Sequence, residues 1–167
     1  ARMLVTTNYR VKHEDSAENR GMEIRTASAA DRDSVVGLWE ACDLTRPWND
    51  PVADFDRAAA GPASAVLVGI ADGELVATAM VGHDGHRGWV YYLAVRPARQ
   101  GHGFGVALMR ACEEWLRERG VPKVHLMVRD TNERVLGFYA AIGYERQGVQ
   151  VLGRWLDFNN GLVTAII

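Results

Sequence analysis

Trp89-Val90-Tyr91-Tyr92-Leu93-Ala94-Val95 is followed, four residues later, by Gln100-Gly101-His102-Gly103-Phe104-Gly105. The first stretch is aromatic and β-branched and carries no charge, the composition of a buried strand. After the glycines, apolar residues recur at Phe104, Leu108, Ala111, Cys112, Trp115 and Leu116, the stripe of a core-facing helix. Strand, glycine-rich turn and helix in succession present backbone N–H groups to an anion. The glycines let the backbone come close, and the helix start adds unpaired donors and a positive dipole end. The plainer reading is a glycine-rich connection that binds nothing. Three glycines at alternate positions are costly to order without a reason, which favours a phosphate site.

The flanking sequence supplies the other elements. Met22 to Arg25 reads as a short strand, and Ala30 to Ala41 as a helix with Val35, Leu38 and Trp39 inward. Pro51 to Ala60 is a second helix, with Pro51 in its first turn and Asp50 as N-cap. Ala65 to Ala71 and Leu75 to Val81 read as strands joined by the tight turn Asp72-Gly73. The helix after the glycine loop stops at Gly120, with Pro122 just beyond. Lys123 to Val128 reads as a strand, Asn132 to Ile142 as a helix stopped by Gly143, and Tyr144 to Leu156 as one or two final strands. The expected class is α/β, in the order β-α-α-β-β-β-α-β-α-β-β.

Length and composition narrow the functional classes. A chain of 167 residues, 48% hydrophobic and 24% charged, suits one soluble globular domain. That domain is expected over residues 22–167. Residues 1–21 hold no sustained apolar period and read as an N-terminal arm, disordered or a leader. A formal net charge of −2 and a pI of about 6.2 argue against a nucleic-acid partner. No apolar run reaches membrane-spanning length and the polar start holds no secretory core, so no membrane partner is expected. Cys42 and Cys112 lie far apart and read as reduced packing residues of a cytoplasmic protein. Asn159-Asn160-Gly161 followed by the apolar, β-branched Leu162 to Ile167 reads as a turn and an edge strand. Such an edge must be covered by the chain's own sheet or by a second subunit, and a homodimer is expected.

With these elements in this order, the chain resembles the GCN5-related N-acetyltransferase (GNAT) family. The resemblance covers roughly Met22 to Leu156. Leu93-Ala94-Val95-Arg96-Pro97 with the Gln100–Gly105 loop fits the family's Q/R-x-x-G-x-G/A pattern. Asn132 through Val135-Leu136-Gly137-Phe138-Tyr139, then Ile142-Gly143-Tyr144, is similar to its "N…A…FYxxxGF" block. The stretches Cys42 to Pro51 and Asp84 to Gly88 further resemble a bacterial branch of uncharacterised acetyltransferases.

The resemblance implies a central, mixed, mostly antiparallel twisted sheet flanked by helices, and acetyl-CoA as co-substrate. The N–H groups of Gly101, His102, Gly103, Phe104, Gly105 and Val106 would hold the pyrophosphate. The backbone of Leu93, Ala94 and Val95 would pair with the pantetheine arm, because the family splays this strand from the next one. Gln100 and His102 stand where many relatives carry arginine, so anion affinity would rest on backbone donors and Arg99. His102 reads either as a ligand or base, or as a solvent-facing loop residue. Tyr139 stands at the family's usual place for the acid that protonates the leaving thiolate, against the plainer reading of a packed aromatic. Asn132 either bonds the pantetheine or caps its helix.

No base is evident. With strict alternation Trp89, Tyr91 and Leu93 share a strand face, and none of them is a base. Glu40, Asp43, Asp50, Asp84 and His86 are candidates, each also readable as a cap, a turn residue or a solvated charge. His83, Asp84 and His86 have no third histidine or cysteine nearby, so no metal is expected. Arg46, Trp48 and Asn49, in the loop between the first two helices, with Trp89 and Tyr91 on the strand, are the expected walls of an amine-acceptor pocket. Acetyl transfer would proceed by direct attack of a primary amine, from a small molecule or a protein, in a ternary complex. A non-catalytic acyl-CoA-binding module is the alternative. A nicotinamide-dependent oxidoreductase fits less well, since the spacing is Gly101-x-Gly103-x-Gly105 rather than G-x-G-x-x-G.

Overall fold

Apolar residues that alternate along two neighbouring strands give a sheet with both faces covered. In the computed structural model, residues 21–156 are described. Their elements are β1 (Glu23–Thr26), α1 (Arg32–Ala41), α2 (Pro51–Ala60), β2 (Ser64–Ala71), β3 (Glu74–His83), β4 (Gly88–Val95), α3 (Phe104–Arg117), β5 (Val124–Leu126) and α4 (Glu133–Ala141). They fall into two compact units divided between Arg129 and Asp130. The first unit holds all five strands and α1 to α3.

The sheet order is β1-β2-β3-β4-β5. The first three pairings are antiparallel, and β4 pairs with β5 in parallel. The β2–β3 hairpin turns at Asp72 and Gly73, both at positive φ (53° and 76°), the geometry of a twist-compatible two-residue turn. On one face Val66 and Val68 of β2 pack with Val35, Leu38 and Trp39 of α1 and Phe55 and Ala58 of α2. The alternate residues Ala65 and Leu67, with Ala79 and Val81 of β3, are buried on the other face. There α3 packs against β3 and β4, and its stripe, Leu108, Ala111, Cys112, Trp115 and Leu116, is buried as expected. Trp115 brings its ring to 6.2 Å from that of His83.

Caps set where the helices of this face begin. Asp50 accepts from the N–H groups of Val52 and Ala53 at 3.0 and 3.1 Å, so α2 starts at Pro51. Before α1, Asp31 takes the Ser28 N–H at 2.7 Å and a bidentate pair from Arg25, both at 2.8 Å. That pair ties the entry of α1 to β1.

The second unit begins at Asp130 and contains α4. Asn132 caps that helix, its side-chain oxygen accepting from the Val135 N–H at 3.2 Å. The strands expected between Tyr144 and Leu156 are absent among the described residues: the segment has no ladder partner there. Gly148 and Gly153 interrupt its apolar pattern, and Val149, Val151, Leu152, Trp155 and Leu156 are exposed rather than paired. The apolar run Leu162 to Ile167, and the arm before Gly21, lie outside the described residues.

Candidate active site

In the first unit β4 leaves its neighbour early. It pairs with β5 only over Gly88, Trp89 and Val90, while its pairing with β3 continues to Val95. Arg96 donates its N–H to Val76 O at 2.8 Å. By the alternation of an antiparallel ladder, Val95 and Leu93 therefore direct their backbone groups away from β3, to the side β5 has vacated. The Val95 carbonyl accepts there from the Gln100 side-chain amide at 3.1 Å and from the Cys42 thiol at 3.4 Å. Leu93 thus offers backbone groups in the gap.

The same strand carries a bulge. Register with β3 shifts between Thr78 and Met80, and Tyr92 takes φ 51°. Tyr91 pairs across to Met80, and the next residue, Tyr92, stacks on Trp39 at 4.1 Å on that same face. The expected alternation of Trp89, Tyr91 and Leu93 therefore fails. The extra residue puts Tyr91 and Tyr92 on one side and moves Leu93 to the other.

The glycine loop follows a 3₁₀ turn at Pro97–Arg99. Gly101 and Gly103 both stand at φ 80°, left-handed backbone open to glycine, and Gly103 is the N-cap of α3. Ala107 is the first residue of α3 to bond back, to Gly103 O at 3.0 Å. Helix geometry leaves the N–H groups of Phe104, Gly105 and Val106 without partners inside the helix. The His102 ring is exposed, with Nδ1 at 2.9 Å from Gln100 O. Arg99 pairs with Asp72 of the β2–β3 turn and lies 5.9 Å from the Phe104 ring centroid.

On the α1–α2 face an open cleft of about 550 Å³ lies against the bulge. Tyr91, Tyr92 and Met80 of the sheet line it, with Asn49 of the loop and Asp54 and Arg57 of α2. The Tyr92 hydroxyl donates to Asp54 Oδ2 at 2.8 Å, and Asp54 Oδ1 accepts from Arg57 at 2.8 Å. Burial first, and the hydrogen bond to Asp54 second, push the Tyr92 phenol up to about 12. Trp89 stands beside the cleft rather than on it, its ring stacked at 6.5 Å on that of Tyr91. Arg46 folds back on its own loop, donating to Thr45 O and Asp43 O, and Trp48 is 56% exposed.

The base candidates read from the sequence lie outside the cleft lining, His86 among them with its ring Nδ1 3.4 Å from Arg87. Asp50 caps α2, Asp43 pairs with Arg46, and Glu40 is exposed. Asp84 accepts from the N–H groups of Arg87 and His86 and from the Trp89 indole, which hold its carboxyl well below the usual range. In the second unit the Tyr139 ring contacts Phe138 at 5.0 Å and Tyr144 at 5.5 Å. Among the described residues no group of three His, Cys, Asp or Glu side chains converges as a metal site, and no helix is long and apolar enough to cross a membrane.

The parted sheet, the bulge and the glycine loop before α3 all lie within the range that a family model matches. The acetyltransferase (GNAT) family model matches residues 26–144, well over half of the chain. The chain belongs to the GNAT acetyltransferase family. Solved structures with the same fold include the aminoglycoside N-acetyltransferase AAC(6')-Iy in complex with CoA, at 18% identity and a TM-score of 0.71 over 81% of this chain and 95% of that one. A ribosomal-protein-alanine N-acetyltransferase from Brucella melitensis biovar Abortus 2308 matches at 20% identity and 0.66, over 81% and 99%. A protein from Clostridium acetobutylicum described as a predicted acetyltransferase, solved with acetyl-CoA, matches at 15% and 0.65, over 80% and 96%.

Within this GNAT fold, sequence reading missed Asp54, Arg57 and Tyr92. Asp54 sits one turn before the buried Ala58, a charge on the inward face of α2, and that spacing was the available signal. Tyr92 gave no comparable sign, because only the bulge turns it into the cleft.

Proposed function

We propose that the protein transfers the acetyl group of acetyl-CoA to a primary amine, by direct attack in a ternary complex. The observation that carries this reading is the parting of β4 from β5, with Leu93 backbone groups facing the gap and the left-handed Gly101 and Gly103 leading into α3. An extended amide-bearing arm suits the gap, and a diphosphate suits the unpaired N–H groups of Phe104 to Val106. Because Arg99 already pairs with Asp72, those backbone donors carry most of the anion affinity.

Acetyl-CoA, when bound, supplies the acetyl group as a thioester: a C–N bond forms, the C–S bond breaks, and the thiolate leaves with a proton while the attacking amine gives one up. Tyr139 is assigned the role of acid for the thiolate, on its place in the Asn132–Tyr144 block. Neither cysteine is an acetyl carrier: Cys112 is fully buried and the Cys42 thiol is engaged with Val95 O. The same two unpaired thiols support a reducing, cytoplasmic setting. A homodimer completes the proposal, motivated by the exposed apolar residues after α4.

The test is CoA release with acetyl-CoA and a panel of primary amines, beside mass spectrometry of protein incubated with acetyl-CoA alone. Amine-dependent CoA release with no acetylated protein is expected. Tight acetyl-CoA binding without release for any amine would assign the chain to the non-catalytic module instead.

A further inference from the structure

We infer that Asp54 is the seat for the acceptor's ammonium group, and that the cleft around it takes a primary amine on an apolar or aromatic arm; this rests on the acetyl-transfer reading. The Asp54 side chain is 24% exposed within the cleft wall. One oxygen accepts the Tyr92 hydroxyl and the other the Arg57 guanidinium, both at 2.8 Å. Each carboxylate oxygen has a second lone pair, so the group has acceptor capacity left for a cation. Tyr92 is fixed by its stack on Trp39 and stays a protonated donor, so it aims the carboxylate without neutralising it. Arg57 is 73% exposed, and so solvated an ion pair holds its partner weakly. It can yield to an incoming ammonium.

The arrangement also discriminates. An ammonium entering the cleft meets the Asp54 carboxylate beside the aromatic side chains of Tyr91 and Tyr92, a lining that favours a cation. Leu44, Ala58 and Met80 supply the apolar wall for the rest of the molecule. A carboxylate in the same position would be repelled by Asp54. The volume, about 550 Å³, suits a small molecule rather than a folded partner.

The test reads amine binding directly, apart from turnover. Calorimetry of the protein without acetyl-CoA is expected to show phenethylamine binding and no binding of 3-phenylpropionate, which has a similar arm but a carboxylate. Asp54→Asn keeps an acceptor for Tyr92 but removes the charge. It is expected to weaken phenethylamine by about tenfold or more, raise KM for amines more than it lowers kcat, and leave acetyl-CoA affinity within about twofold. Arg57→Gln removes the competing cation and is expected to tighten phenethylamine by roughly two- to fivefold, a gain that a purely structural pair would not give. Unchanged phenethylamine affinity in Asp54→Asn, or 3-phenylpropionate binding as well as phenethylamine, would overturn the assignment. If Asp54→Asn does not fold, Arg57→Gln decides, and no tightening there overturns it. Amine binding with these effects but no CoA release would overturn the transfer reading alone.

Discussion

Tyr92 occupies left-handed backbone at φ 51° with a bulky side chain, a conformation that costs an L-residue about 1–2 kcal/mol. Its ring stacks on Trp39 at 4.1 Å and its hydroxyl reaches Asp54, contacts worth about 0.5–1.5 kcal/mol each, which offset the strain. Other single residues give sharper predictions. Arg25 first, then the Ser28 N–H and hydroxyl, hold the Asp31 carboxyl well below its ordinary 3.8 against the opposing effect of burial. A folded value below the unfolded one means stability that is present above about pH 4 and is lost as pH falls toward the folded value. Asp31→Asn is expected to cost about 1–2 kcal/mol at neutral pH, and the gap in melting temperature between parent and variant should narrow steadily as pH falls from about 4 toward 2. A gap constant over that range would assign the cost to cap shape rather than charge. For Tyr139, an acid role predicts that Tyr139→Phe lowers kcat and kcat/KM together by about 10²–10⁴ with acetyl-CoA affinity unchanged. A merely packed phenol predicts a lower melting temperature instead. A rate within about threefold of the parent (about 0.65 kcal/mol) would hand the proton transfer to water.

At the scale of elements, the strand, glycine loop and helix were legible because each is dictated locally. The apolar stripe of α3 is buried as read, and Gly103 stands at φ 80°, the left-handed backbone that the glycine-rich loop was expected to use. Gly103→Val puts a β-branched side chain into that conformation at the mouth of the loop. It is expected to weaken acetyl-CoA at least about tenfold, about 1.4 kcal/mol, with the far-UV circular dichroism of the parent retained. Unchanged affinity by calorimetry would remove the loop from the site. The caps Asp50 and Asn132 were equally legible, since an Asx side chain bonds the N–H groups two or three residues on. The segment Tyr144 to Leu156 was not. A few apolar residues between glycines resemble a strand, but a strand exists only where a neighbour supplies its hydrogen bonds.

For the whole molecule, the exposed residues after α4 set an expectation about assembly. Leu152 is 90% exposed and Trp155 63%, more apolar surface than a short polar segment ordinarily leaves to water. The protein is expected to run as a homodimer in light scattering at micromolar concentration; a monomer mass would count against it. Periodicity and turn chemistry, carried by neighbours in sequence, were enough to assign the element order from β1 to α4 and the glycine loop, and the motifs within them carried the resemblance to the family. The tertiary structure alone decided which side chains meet in the cleft. Asp54 and Tyr92 lie thirty-eight positions apart, and a one-residue bulge, set by how β4 settles against β3, turns Tyr92 toward Asp54. A register shift reverses every facing residue beyond it, and nothing local in Tyr91-Tyr92-Leu93 announces one.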